Sequence, residues 1–279
     1  MKKIFQVIGL ISLTCFSFFV TEKTALVVND MDDIMIEIKS NYKNYKEESI
    51  DAVIKKNTII PGICGRNVNI KKSYKNMKTN GYYSDKLFVY DYIKPNISLS
   101  DNIDKYIIKG NPSKRMISLI FKVNYEDDIT EILNIINNYN IKVTFFMDIQ
   151  YFKSNNELIQ KLINTGHNIG IITDDYSNPD YEWIDMVIKK INKQEHGFCY
   201  NIDNNKRNLD ACIHKNNYTI SPLEISDLEP LVDIKKNIEA GSIFSLNINS
   251  RVRKELSTII IYIKSKGYNI DNLENHLLE

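Results

Sequence analysis

Met116-Ile117-Ser118-Leu119-Ile120-Phe121 and Val143-Thr144-Phe145-Phe146 are two apolar runs that decide the fold. Between them, Ile129, Ile132, Leu133 and Ile136 recur at helical spacing. A short continuous apolar run followed by an amphipathic helix reads as a buried strand of a parallel sheet. Asp128 stands at the N-cap of that helix, where a carboxylate accepts the first free amides. The rhythm then repeats. Leu158 and Leu162 carry the next helix, Gly166 closes it, and Asn168–Ile172 reads as strand three. Trp183, Val187 and Ile191, four apart, mark the expected core face of the helix before strand four, Phe198–Asn201. Leu209–Ile213 and Ile234–Ile238 read as helices on either side of strand five, Tyr218–Ser221. Ser242–Asn247 is strand six, Leu256–Ile263 a helix closed by Gly267, and Tyr268–Ile270 a short strand seven. Seven units in about 165 residues predict an α/β fold, a distorted (β/α)7 barrel, over residues 111–279. Function in such a barrel sits on the loops at the C-terminal ends of its strands.

Residues 23–110 predict a small β-rich region. Ile34, Ile36 and Ile38 alternate with polar or flexible neighbours as in a half-buried strand. Ala52–Ile54 and Thr58–Ile60 flank Lys55-Lys56-Asn57 as a hairpin, and Leu87, Val89 and Asp91 mark another strand. Before it, Met1-Lys2-Lys3 and the apolar run Ile4–Val20 read as an export signal. Seventeen residues span roughly 25 Å as a helix, a little short of the roughly 30 Å hydrocarbon core. With no small-residue cleavage site near Thr21–Ala25, residues 1–22 are expected to stay as a signal anchor in the cell membrane, residues 4–20 spanning it. The remainder would lie outside, or be secreted if the anchor is cut. Cys64, Cys199 and Cys212 would then meet an oxidising compartment, and three cysteines allow at most one internal bridge.

The 36 basic and 35 acidic residues exclude a nucleic-acid binder driven by bulk charge, and 10 Gly and 6 Pro leave no low-complexity tract. Without Lys2, Lys3 and Glu22 the exported part has 34 basic residues against 34 acidic, so it has no surplus to hold anionic polymers.

The Met116–Phe121 strand, Thr144-Phe145-Phe146, Gly166-His167-Asn168-Ile169-Gly170, Gly241-Ser242-Ile243-Phe244-Ser245-Leu246 and Lys266-Gly267-Tyr268 together resemble the polysaccharide deacetylase family with its NodB homology domain. The resemblance implies a distorted (β/α)7 barrel and removal of acetyl groups from envelope polysaccharides. It also implies a divalent metal such as zinc, a carboxylate base and a histidine acid. The residues at those positions differ. Where the family has a base and then a metal-ligating aspartate, this chain has Lys122 and Val123, followed by Asn124. The two metal-ligating histidines fall on Ile172 and Tyr176, and the acid falls on Asn247. The arginine that buttresses the base has no counterpart in Phe198-Cys199-Tyr200-Asn201. Val123 and Ile172 offer no lone pair, and Lys122 brings a positive charge to a cation site. His167 matches a structural family residue, and His196 and His214 read as loop and surface residues.

The expectation is a membrane-anchored, extracellular deacetylase-like protein without catalysis and without a metal. It would bind an envelope glycan or envelope protein, or serve as a scaffold in the envelope or spore coat. Asn124, Asp148, Thr173, Asp174, Tyr176, Asn201, Glu224 and Asn247 are the candidate groove residues. The alternative is an active metal-dependent deacetylase with relocated ligands drawn from Glu126, Asp127, Asp128, Asp174 and Asp175. Against it, Asp127 and Asp128 suit a helix cap, and Asp174 and Asp175 a turn.

Overall fold

The structure, a computed structural model, describes residues 14, 16, 17, 30–192, 194–201 and 205–279. Among the described residues no helix is long and apolar enough to cross a membrane. The expected anchor at residues 4–20 lies outside them, apart from Thr14, Phe16 and Ser17. The chain forms two compact units: the residues up to Ser49 with Cys64–Lys94, and Ile50–Ile63 with Pro95–Glu279.

The larger unit holds β1 (Val53–Lys55), β2 (Thr58–Ile60), β3 (Tyr106–Ile107), β4 (Met116–Val123), β5 (Thr144–Met147), β6 (Asn168–Ile171), β7 (Phe198–Tyr200), β8 (Tyr218–Ile220), β9 (Leu223–Glu224), β10 (Ile243–Asn247) and β11 (Asn269–Ile270). They form one sheet in the order β1-β2-β3-β8-β7-β6-β5-β4-β10-β9, with β11 beside the start of β4. Every pairing is parallel except the β1–β2 hairpin, where Lys56 takes a positive φ of 54°. The strand order describes an open half-barrel. Past strand five of the sequence pattern, the sheet continues into β3 and the N-terminal hairpin.

Alternation along the strands sorts side chains into two cores. On the outer face Leu119, Phe121, Phe145, Ile169 and Phe244 pack beneath the helices Thr130–Asn138 (α1), Asn156–Asn164 (α2), Pro179–Asn192 (α3) and Ser250–Ser265 (α4). On the inner face Ile120, Phe146, Phe198, Tyr200, Ile220 and Ile243 meet Ala52, Ile59, Leu99, Ile107 and Leu277. The N-terminal hairpin is thus built into the inner core. This moves residues 50–63 and 95–110 from the expected β-rich region into the barrel unit.

The smaller unit pairs strands Gly65–Val68 and Tyr90–Ile93 with helices Asp33–Asn41 and Ile70–Asn80 around Ile38, Val68, Met77 and Phe88. Residues 34–38 are therefore helical and not a strand. Asp32 caps the helix by accepting from the Ile34 amide, and burial follows Met35 and Ile38 while Ile36 stays 51% exposed. The core face of α3 also differs. It is Tyr181, Ile184, Asp185 and Ile188 that are buried, whereas Trp183 is 54% exposed and Ile191 is exposed too. The reason is Asp185, which escaped an apolar count because its buried carboxylate is bound by Asn217 and Lys189.

Candidate functional site

Because the barrel strands run parallel, β4, β5, β6, β7 and β10 all end at one mouth. Register sets what points inward: Lys122 lies beside Phe146 on β5 and beside Asn247 on β10, and Phe146 lies beside Gly170 on β6. The Phe146 ring occupies the volume over Gly170, where a Cβ would sit 2.5 Å from it. It meets the Tyr200 ring edge-on with centroids 5.1 Å apart.

The Lys122 ammonium is 2.6 Å from Glu224 Oε2 and 5.8 Å from the centre of the Tyr200 ring. The Tyr200 hydroxyl contacts Glu224 Oε1 and lies 2.6 Å from Ser245 Oγ. Burial, reinforced by the Glu224 carboxylate, pushes the Tyr200 phenol well above its ordinary range, so it stays a neutral donor. Lys122 and Glu224 cancel each other's charge, with side chains 19% and 53% exposed. Farther along the rim, Asn247 Nδ2 donates to both Asp227 oxygens at 3.0 Å, and Asn249 Nδ2 to Oδ1 at 2.8 Å. Tyr200, Ser245, Asp227 and Asn249 were not singled out from sequence. Period-two alternation from Asn247 gives Ser245; the loop residue Asp227 had no such signal.

The donor set does not fit a metal. Val123 is fully buried under the helices, and Ile172 packs against the inner core. Tyr176 is buried: its hydroxyl lies 3.0 Å from the Ile171 carbonyl and 3.1 Å from the Tyr200 carbonyl, and it accepts the Tyr200 amide at 2.7 Å. Burial raises its phenol too. Tyr176 is thus a bridge between β6 and β7 and not a groove residue. Among the described residues no group of three or more His, Cys, Asp or Glu is placed to hold a metal ion.

The other candidates divide. Asn124 is exposed at the end of β4, its amide donating to Asp127 Oδ2. Asp148 Oδ1 caps the helix Ile149–Ser154 by accepting from Gln150 and Tyr151. Thr173 Oγ1 accepts the Asp175 amide, and the Asp174 carbonyl accepts from Asn208. Asn201 Nδ2 donates to Ser221 Oγ at 3.1 Å. Glu224 and Asn247 belong to the polar clusters at the mouth. Asp128 accepts the Thr130 amide, and Asp175 turns the chain by accepting from Ser177. These carboxylates hold backbone.

The histidines serve the fold. His167 Nδ1 accepts the Val143 amide at 3.3 Å, and burial lowers the ring to about 4. His276, fully buried with Nδ1 2.8 Å from Ser118 Oγ, is lowered to about 3, first by burial and then by Lys114. His214 is exposed on the helix Lys206–His214. His196 is half-buried and not a plain surface residue: it stacks on Tyr218 at 4.4 Å and binds the Asn216 carbonyl. Cys199 on β7 is bridged to Cys212 on the helix that follows, leaving Cys64 outside the bridge.

Residues 109–222 match the family model for polysaccharide deacetylase. YlxY of Bacillus subtilis, a protein of no stated function, is 33% identical over 159 residues, 56% of this chain and 49% of its own length. A 30.6 kDa protein of Geobacillus stearothermophilus is 33% identical over 85 residues, 29% of this chain and 31% of its own. The chain thus spans half or less of the curated relatives it matches. Among solved structures, wild-type BA3943 of Bacillus anthracis, described as a CE4 family pseudoenzyme, is 21% identical and superimposes with a TM-score of 0.63 over 88% of this chain and 95% of that one. A BA3943 mutant described as having restored enzymatic activity gives 0.64, over 88% and 98%. These structures share the fold.

Proposed function

We propose, for a chain that carries a degenerate polysaccharide deacetylase domain of the NodB type, a non-catalytic role outside the cell: binding an envelope glycan, or scaffolding an envelope or spore-coat assembly. The observation that carries this reading is the mouth of the sheet. The positions that would supply base, metal ligands and acid are Lys122, Val123, Ile172, Tyr176 and Asn247. Each is now buried as core, bonded to backbone, or paired with a neighbour. None of these five positions carries a carboxylate or an imidazole to take a proton from water or to ligate a metal. What is left at the rim is amide and carboxylate groups suited to sugar hydroxyls. The description of BA3943 as a pseudoenzyme on the same fold supports the reading. The Cys199–Cys212 bridge supports an oxidising location. Under this reading residues 4–20 anchor the chain in the membrane and the barrel works on the outer side.

Purified full-length protein tests it. Retention on isolated sacculi is expected, reduced several-fold by Glu224→Gln/Asn247→Ala. No acetate should be released from acetylated chitooligosaccharides or peptidoglycan with zinc, cobalt or manganese added. Metal-dependent acetate release would overturn the reading.

A further inference from the structure

The helix Ile70–Asn80 carries Lys71, Lys72, Lys75 and Lys78 and not one carboxylate. Lys71 and Lys72 sit in its first turn, where the helix dipole favours acids and disfavours cations. That placement costs stability and wants a counter-charge. Asp91 reaches Lys72 at 3.4 Å, and Asp32 reaches Lys78 at 2.6 Å. Lys71 and Lys75, one turn apart, are exposed on the same face.

That face borders a groove of about 810 Å³ within the smaller unit, lined by Met35, Ile70 and Tyr74, with Lys39, Lys71, Lys75 and Lys78 at its edge; its one carboxylate among the described residues, Asp30, is paired with Lys39 at 2.7 Å. Met35 and Lys39, four apart, share one row of the facing helix and border the groove. An apolar groove edged by lysines matches a bilayer interface, where apolar groups meet the acyl boundary and ammoniums meet headgroup phosphates.

We infer that this face of the smaller unit docks on a lipid bilayer bearing anionic headgroups. Charge complementarity selects the anionic surface, and the apolar groove selects a bilayer over a soluble polyanion. The inference stands on the unit's own surface. It is consistent with the anchored reading, since Asp30 follows Val20 by ten residues, a reach of at most about 35 Å.

Amine-acetylation footprinting of the full chain tests it, with the protein reconstituted on phosphatidylcholine vesicles with or without phosphatidylglycerol. Lys71 and Lys75 should react about threefold more slowly on the anionic vesicles, with Lys254, exposed on the larger unit, unchanged. Salt at roughly 1 M, which shortens screening to about 3 Å, should erase the difference. Lys39 and Lys78 at the same edge should slow on the anionic vesicles too, and serve as reporters in variants: Lys71→Glu/Lys75→Glu should abolish their lipid preference and leave retention on sacculi intact, and Lys71→Arg/Lys75→Arg should keep both. Equal rates on the two vesicle types would overturn the inference. So would protection that grows with protein concentration in the absence of lipid, which would mark a contact between copies.

Discussion

Lys122 and Glu224 stand on two strands that do not pair with each other, β4 and β9, with β10 between them. Their ion pair therefore ties together three strands at the mouth. Glu224 is half exposed, so solvent screens the pair, and a coupling of about 1 kcal/mol is expected from a Lys122→Met/Glu224→Gln cycle read by urea unfolding. A coupling near zero would make the pair an ornament of the surface. The buried histidines have a larger effect, and its sign is fixed. His167 and His276 are lowered from 6.5 to about 4 and about 3. The unfolded chain therefore binds more protons below pH 6.5, and stability falls as pH falls toward those values. The loss should be on the order of 3 kcal/mol per histidine at pH 4. His276→Asn should be less stable at neutral pH, yet flatter between pH 6.5 and 4 in urea titrations; an unchanged slope would sink this assignment.

The elements show what sequence periodicity can see. Strands with apolar residues on both faces, such as Met116–Val123 and Ile243–Asn247, were legible because two-sided burial leaves an unbroken run. The helix Asp33–Asn41 was not, because three isoleucines at alternate positions satisfy a strand pattern as well as they scatter around a helix; the cap at Asp32 was the decisive residue. The residue types at Lys122, Val123, Ile172, Tyr176 and Asn247, where the resemblance would place a base, ligands and an acid, are legible in the sequence. What those side chains touch is not. Tyr176 bonding the β6 and β7 backbone, and Tyr200 reaching Glu224 and Ser245, depend on side-chain directions that spacing does not encode. Two elements give sharp tests. Gly170→Ala would drive a methyl into Phe146 and should cost about 2 kcal/mol or more, measured by thermal unfolding. Removing the bridge with Cys199→Ser/Cys212→Ser, across a sequence separation of 13, should cost about 3 kcal/mol, and reducing agent should lower the wild-type midpoint in the same direction.

At the scale of the whole molecule, the boundary expected at residues 110–111 cuts through a sheet. A fragment of residues 114–279 would lack β1, β2 and β3 and leave the edge of β8 unpaired. It would also lose Ala52, Ile59, Leu99 and Ile107 from the inner core. Such a fragment should bind hydrophobic dye and aggregate where the full chain does not. A soluble, cooperatively unfolding fragment would refute the shared core.

That inner core joins Ala52 to Leu277. A ribosome therefore delivers the first wall of the barrel long before the residues that complete it. Until Leu273 and Leu277 emerge, the inner face of the sheet lacks part of its cover, and that core cannot close. By drawing one core from segments about 220 residues apart, the chain makes closure of its inner face a late event, whatever the order in which its helices form.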